Sequence, residues 1–151
     1  MKKQFIFLCL AFLLFASKSY SQEQGQLMLT LGMDAYKTDN NPFSAFKKFQ
    51  GGFEANYFVA DKVSVGLGFE YYGYSSGGSL KYITFSPRLY PIGGLFLRAK
   101  PLIPLNRQRF DVGVGLGYDI MLGETWAIEL AGDYYIDQSS AGFRLGFAAF
   151  F

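Results

Sequence analysis

Histidine is missing from this 151-residue chain, and cysteine occurs once, at Cys9. Without histidine there is no Ser-His-Asp or Cys-His nucleophile pair, no imidazole zinc ligand and no ordinary switch near neutral pH. A lone cysteine cannot close an internal disulfide. Charge of one sign is also lacking: 14 Lys and Arg against 12 Asp and Glu leave +2, far from the basic excess of a nucleic-acid binder. No apolar run approaches the roughly 20 residues of a membrane-spanning helix. The longest, Phe5–Ala16, has twelve. No Pro/Ser-rich linker divides the chain, and its length suits one domain. What the chain has in quantity is aromatic surface, 19% of residues, and glycine, 18 of 151 against an average of about 7%.

The first 21 residues stand apart. Met1–Lys3 is a short basic start, Phe5–Ala16 (FIFLCLAFLLFA) is the apolar run, and Ser19 and Ser21 are small residues placed for a cut after Ser21. This is the three-part pattern of a secretory signal peptide, so residues 1–21 are expected to be removed and Gln22 to begin the exported domain, 22–151. Cys9 lies mid-run, the wrong place for a lipidated cysteine. Loss of Lys2, Lys3, Lys18 and Cys9 leaves 11 basic groups against 12 acidic ones and no thiol. Small exported domains usually depend on disulfides or metal. This one offers neither, so another source of stability is required.

From residue 27 onward the dominant pattern has period two. Leu27, Leu29, Leu31 and Met33 alternate with Met28, Thr30, Gly32 and Asp34; Val63, Val65, Leu67 and Phe69 with Ser64, Gly66, Gly68 and Glu70; Phe143, Leu145, Phe147, Ala149 and Phe151 with Gly142, Arg144, Gly146 and Phe150. Alternation of this kind predicts strands, and eight are expected, most of nine to twelve residues, with no helix after residue 21. Pro87 falls inside the fourth strand and Pro101 near the end of the fifth, and proline in a strand marks an edge or a bulge. Short turns (60–62, 91–94, 121–125) alternate with connections that are on the whole longer and polar (37–48, 75–79, 104–108, 136–140), the asymmetry of an outer-membrane barrel.

Two barrels read this alternation in opposite senses. A soluble ligand carrier turns its apolar face inward; a membrane barrel turns it to lipid. The glycines discriminate. Gly66, Gly68, Gly113, Gly115, Gly117, Gly142 and Gly146 all fall on the polar face, where water-facing positions would favour Thr, Lys or Gln as better strand formers. Inside an eight-stranded barrel the lumen is only just wide enough for side chains to fill, which gives small residues a physical reason to be there. Tyr57, Tyr71, Tyr118, Trp126 and Tyr134 sit towards strand ends on the apolar face, as in an interfacial aromatic girdle. The expectation is an all-β, eight-stranded antiparallel transmembrane β-barrel with up-and-down topology.

The stretches Ile83–Tyr90 (ITFSPRLY), Phe110–Leu122 (FDVGVGLGYDIML), Trp126–Tyr135 (WAIELAGDYY) and Gly142–Phe151 (GFRLGFAAFF) resemble the outer-membrane β-barrel domain proteins of Bacteroidetes-type bacteria, akin to the small barrels OmpA and OmpX. The resemblance covers residues 22–151. It implies an integral outer-membrane location, surrounding lipids and lipopolysaccharide, and insertion by the barrel-assembly machinery. The assembly signal it implies maps onto Phe143, Leu145, Phe147, Ala149 and Phe151, with Ala149 smaller than usual. No peptidoglycan-binding domain follows, so a wall-anchoring role is not implied.

The candidate chemistry reduces to one constellation. Gly113-Val-Gly115-Leu-Gly117 has no helix after it and lacks the context of a phosphate loop. Glu54, Glu70, Asp119, Glu129 and Asp133 share a face with Arg88, Arg98, Lys100 and Arg144. In a narrow lumen such charges must be paired to be tolerated, so an interior ion network is expected rather than a metal site or a catalytic pair. No catalytic, cofactor or metal-ligating residue is assigned, and an enzyme is not expected. The 37–48 connection carries Phe43 and Phe46 among basic residues and is a candidate partner-contacting loop. The leading reading is a plugged barrel with a structural or surface-interaction role; a narrow porin-like transporter and a soluble ligand-binding barrel are the alternatives.

Overall fold

A computed structural model describes residues 22–37, 48–74, 79–105 and 109–151. The expected leader (1–21) and the loop tips, with Phe43 and Phe46, lie outside the described residues. Among the described residues nine strands form one sheet: β1 Leu27–Lys37, β2 Lys48–Ala60, β3 Val63–Tyr74, β4 Ser79–Phe85, β5 Arg88–Ile92, β6 Leu95–Pro104, β7 Asp111–Met121, β8 Trp126–Tyr135 and β9 Ser140–Phe150. Each pairs antiparallel with its neighbours, and the β1–β9 ladder closes the ring.

The expected fourth strand is interrupted, yet it remains one position in the wall. β4 and β5 both pair with β3 in a single register, Leu67 opposite Phe85 and Ser64 opposite Arg88, and reciprocal Gly66–Ser86 backbone bonds span the gap. The break falls at Ser86–Pro87, where proline lacks the N–H that a continuing ladder would use. The nine strands therefore form eight staves, and the architecture is a closed eight-stranded antiparallel barrel in meander order. β6 runs on through Pro101 to Pro104, further than the proline alone suggests.

The barrel is inverted relative to a soluble protein. Leu31 (66%), Phe53 (59%), Leu67 (64%) and Phe147 (58%) are exposed on its outside, whereas Lys100 (0%) and Arg98 (4%) are buried within. This excludes the soluble carrier, whose apolar face would have been covered. Tyr57 and Trp126 are exposed near the short-turn end and Tyr71 and Tyr134 near the other; Tyr118 is half-buried. Most of the polar-face glycines have a steric cause. A Cβ on Gly66 would collide with the Asn56 amide, and one on Gly115 with the Asp133 carboxylate and the Gly132 carbonyl. Lumen side chains from neighbouring staves occupy the space that these glycines leave.

Residues Gln22–Gln26 brace the short-turn end. Gln22 Nε2 donates to the Gly93 carbonyl at 3.2 Å, while the Lys62 N–H donates to the Gln22 carbonyl at 2.9 Å. The Gln24 N–H donates to Asp61 at 3.0 Å. One short segment thus ties the β2–β3 turn to the β5–β6 turn.

Candidate functional site

Period-two alternation delivers every charged lumen side chain from a strand, and the tilt of the staves brings distant ones together. Two chains of ion pairs result. In the first, Arg144 on β9 reaches Asp34 on β1 (3.2 Å) and Glu70 on β3 (2.6 Å), and Lys100 on β6 donates to the other Glu70 oxygen at 2.5 Å. In the second, Arg88 on β5 reaches Glu54 on β2 (2.6 Å) and Glu129 on β8 (2.5 Å); Arg98 on β6 reaches Glu129 (3.1 Å) and Asp133 on β8 (2.5 Å). Asn56 donates to Glu54 at 2.7 Å. Arg144 and Asp34 are direct cross-strand partners on adjacent staves. The remaining ion pairs join staves two or three positions apart, so the network reaches across the lumen rather than only lining its wall.

Aromatic layers lie at both ends of the network. Towards the short turns, Met28, Phe58, Tyr90, Phe96 and Phe150 pack with Ala127, Ala131 and Ala148. Phe96 also meets the network, with the Arg88 guanidinium 4.8 Å from its ring centroid, a cation–π contact. Towards the other end, Tyr72, Tyr82, Tyr135 and Leu102 form a second cluster, with Gln50 donating to Tyr135 Oη at 3.1 Å. The interior is thus filled by side chains, as an eight-stranded barrel allows.

The structure brings eight of the nine anticipated network residues into ion pairs: Glu54, Glu70, Arg88, Arg98, Lys100, Glu129, Asp133 and Arg144. Asp119 is the exception. It is buried in the lumen, but among the described residues it makes no ion pair and accepts instead from Tyr90 Oη at 3.1 Å. The reason is register: Asp119 lies directly opposite Glu129, and both arginines within reach are committed to Glu129 and its neighbours. Asp34 completes the first chain and was not singled out from sequence, although its phase with Thr30 and Gly32 already placed it inward. Among the described residues no group of three or more His, Cys, Asp or Glu is arranged to hold a metal ion.

On β9, Phe143, Leu145 and Phe147 face outward and are exposed, as is Phe151 just past its end. Ala149 differs: its outward methyl is buried between the larger cross-strand partners Trp126 and Leu29.

No family model matches the chain, and no curated protein matches it in sequence. Solved structures do match in fold. A de novo designed transmembrane β-barrel superposes with a TM-score of 0.62 at 17% identity, covering 87% of this chain and 99% of the design. The N-terminal β-barrel domain of Pseudomonas aeruginosa OprF gives 0.57 at 15% identity, over 86% and 100%. Ail, the attachment invasion locus protein of Yersinia pestis, gives 0.56 at 13%, over 85% and 99%. Closed ring, inverted faces and filled lumen together define the class: a small transmembrane β-barrel of the kind found in outer membranes.

Proposed function

We propose that this chain is an integral outer-membrane protein, exported by residues 1–21, whose role is structural or surface-interacting and not catalytic. The observation that carries this reading is the cross-lumen ion network held between two aromatic layers. It occupies the axis that a transporter would need open and leaves the outer wall and the connecting loops as the surfaces available for function. The wall suits lipid, and exposed Lys81 and Arg109 near the end with the longer connections suit the phosphates of lipopolysaccharide. The name of one structural neighbour, an attachment invasion protein, agrees with a surface role. The barrel-assembly machinery is the partner expected during insertion, and a member of the Bacteroidetes-type barrel family is the finer identity that the sequence resemblance favours.

The test is conductance in a planar bilayer. The purified barrel is expected to give no reproducible steady current. Ion-selective channels in the wild-type protein would overturn the plugged reading and promote the narrow transporter in its place.

A further inference from the structure

Four of the chain's five prolines lie in the two wall positions that meet along one ladder: Pro87 and Pro91 in or beside β5, Pro101 and Pro104 in β6. Three of them aim their missing N–H into that ladder. The Ala99 N–H donates to the Pro87 carbonyl at 3.2 Å. A strand residue's N and O lie on the same edge, so Pro87 faces β6 and returns nothing to the Ala99 carbonyl. Ala99 and Leu105, whose N–H donates to Lys81 at 2.9 Å, both face β4 and β5. Pro101 shares their two-residue phase and gives nothing to the Phe85 carbonyl. Tyr90 turns its N–H to Lys62 on the β3 side, so Pro91 faces β6, where the register shifts between Leu89 and Ile92. Pro104, one residue out of phase, faces the other way.

The two losses at Phe85–Pro101 and Pro87–Ala99 fall on successive rungs. Pairing is present at Thr84–Leu102 and again at Arg88–Arg98, and lapses between them, whereas the β7–β8 and β8–β9 ladders run without interruption. On the lumen side of the gap, Thr84 Oγ1 and Ser86 Oγ are buried with no hydrogen-bond partner among the described residues. Unpaired carbonyls are costly against hydrocarbon, so water reaching this gap stabilises groups that the wall itself leaves unsatisfied. Separating these staves also breaks fewer bonds than separating any intact pair.

We propose that the barrel wall opens locally and reversibly along the β4/β5–β6 seam, hinged at Ser86–Pro87, and that this seam rather than the filled axis admits water to the ion-paired lumen. Residue-resolved amide hydrogen exchange on the barrel in lipid nanodiscs tests it. The amides of Phe85, Leu89, Leu97, Ala99 and Ile103 are expected to exchange about tenfold or more faster than those of β7 and β8, the factor that corresponds to one hydrogen bond's net worth. Pro87→Ala and Pro101→Ala restore a donor each and are expected to slow that exchange, while Pro104→Ala leaves it unchanged. Protection at the seam equal to that of β7 and β8 would overturn the proposal, as would an equal response to all three substitutions. Should a variant fail to fold, the wild-type comparison decides alone.

Discussion

Each lumen charge is tolerated because a specific partner accompanies it. Arg144 is the clearest case, since it joins its cross-strand partner Asp34 on β1 to Glu70 on β3, three staves from its own strand. Arg144→Ala would leave Asp34 without an ion partner and Glu70 with Lys100 alone, and removing one member of a buried pair typically costs about 3–5 kcal/mol. A fall in the unfolding midpoint of that order, followed by gel mobility in detergent with rising urea, is the expected outcome; an unchanged midpoint would refute it. The lumen glycines express the same logic through volume. Gly66 and Gly115 lack side chains because Asn56 and Asp133 lean into those places. These roles were visible in the sequence from phase alone. The pairing was not, because Arg88 meets Glu129 only when three intervening stave steps curve the sheet round.

At the level of strands and segments, the two ends of the domain are joined by backbone bonds. Phe151 and Leu27 exchange N–H donations at 2.8 and 3.0 Å, completing the β1–β9 ladder that closes the barrel. Deleting Phe151 removes both bonds as well as the exposed terminal aromatic, so the compact, heat-modifiable form is expected to accumulate less. Equal folded amounts of wild type and truncation in the membrane fraction would count against this. The Gln22–Gln26 brace bears on the leader: if residues 1–21 are removed after Ser21, protein extracted from membranes should have the intact mass of 22–151. A mass that retains the leader sinks the export assignment. The split of the fourth stave was signalled by Pro87, but its retained register was not, because that depends on β3 holding both halves.

For the whole molecule, closure answers the problem posed by a small chain with no disulfide. Outside the β4/β5–β6 seam, eight staves satisfy one another's backbone groups, and the lipid-facing apolar band replaces a conventional core as the surface removed from water. The sequence by itself determined the all-β class, the phase of nearly every strand and the inward placement of the charges, because a two-residue repeat assigns each side chain to a face without reference to any partner. Placing glycines on the charged face even decided which side was lumen. Only the tertiary structure decided which charges meet, why Asp119 turns to Tyr90, how Ala149 is covered and where the wall is weakest. Those outcomes depend on stave tilt and cross-barrel distance, and these exist only once the sheet has closed on itself.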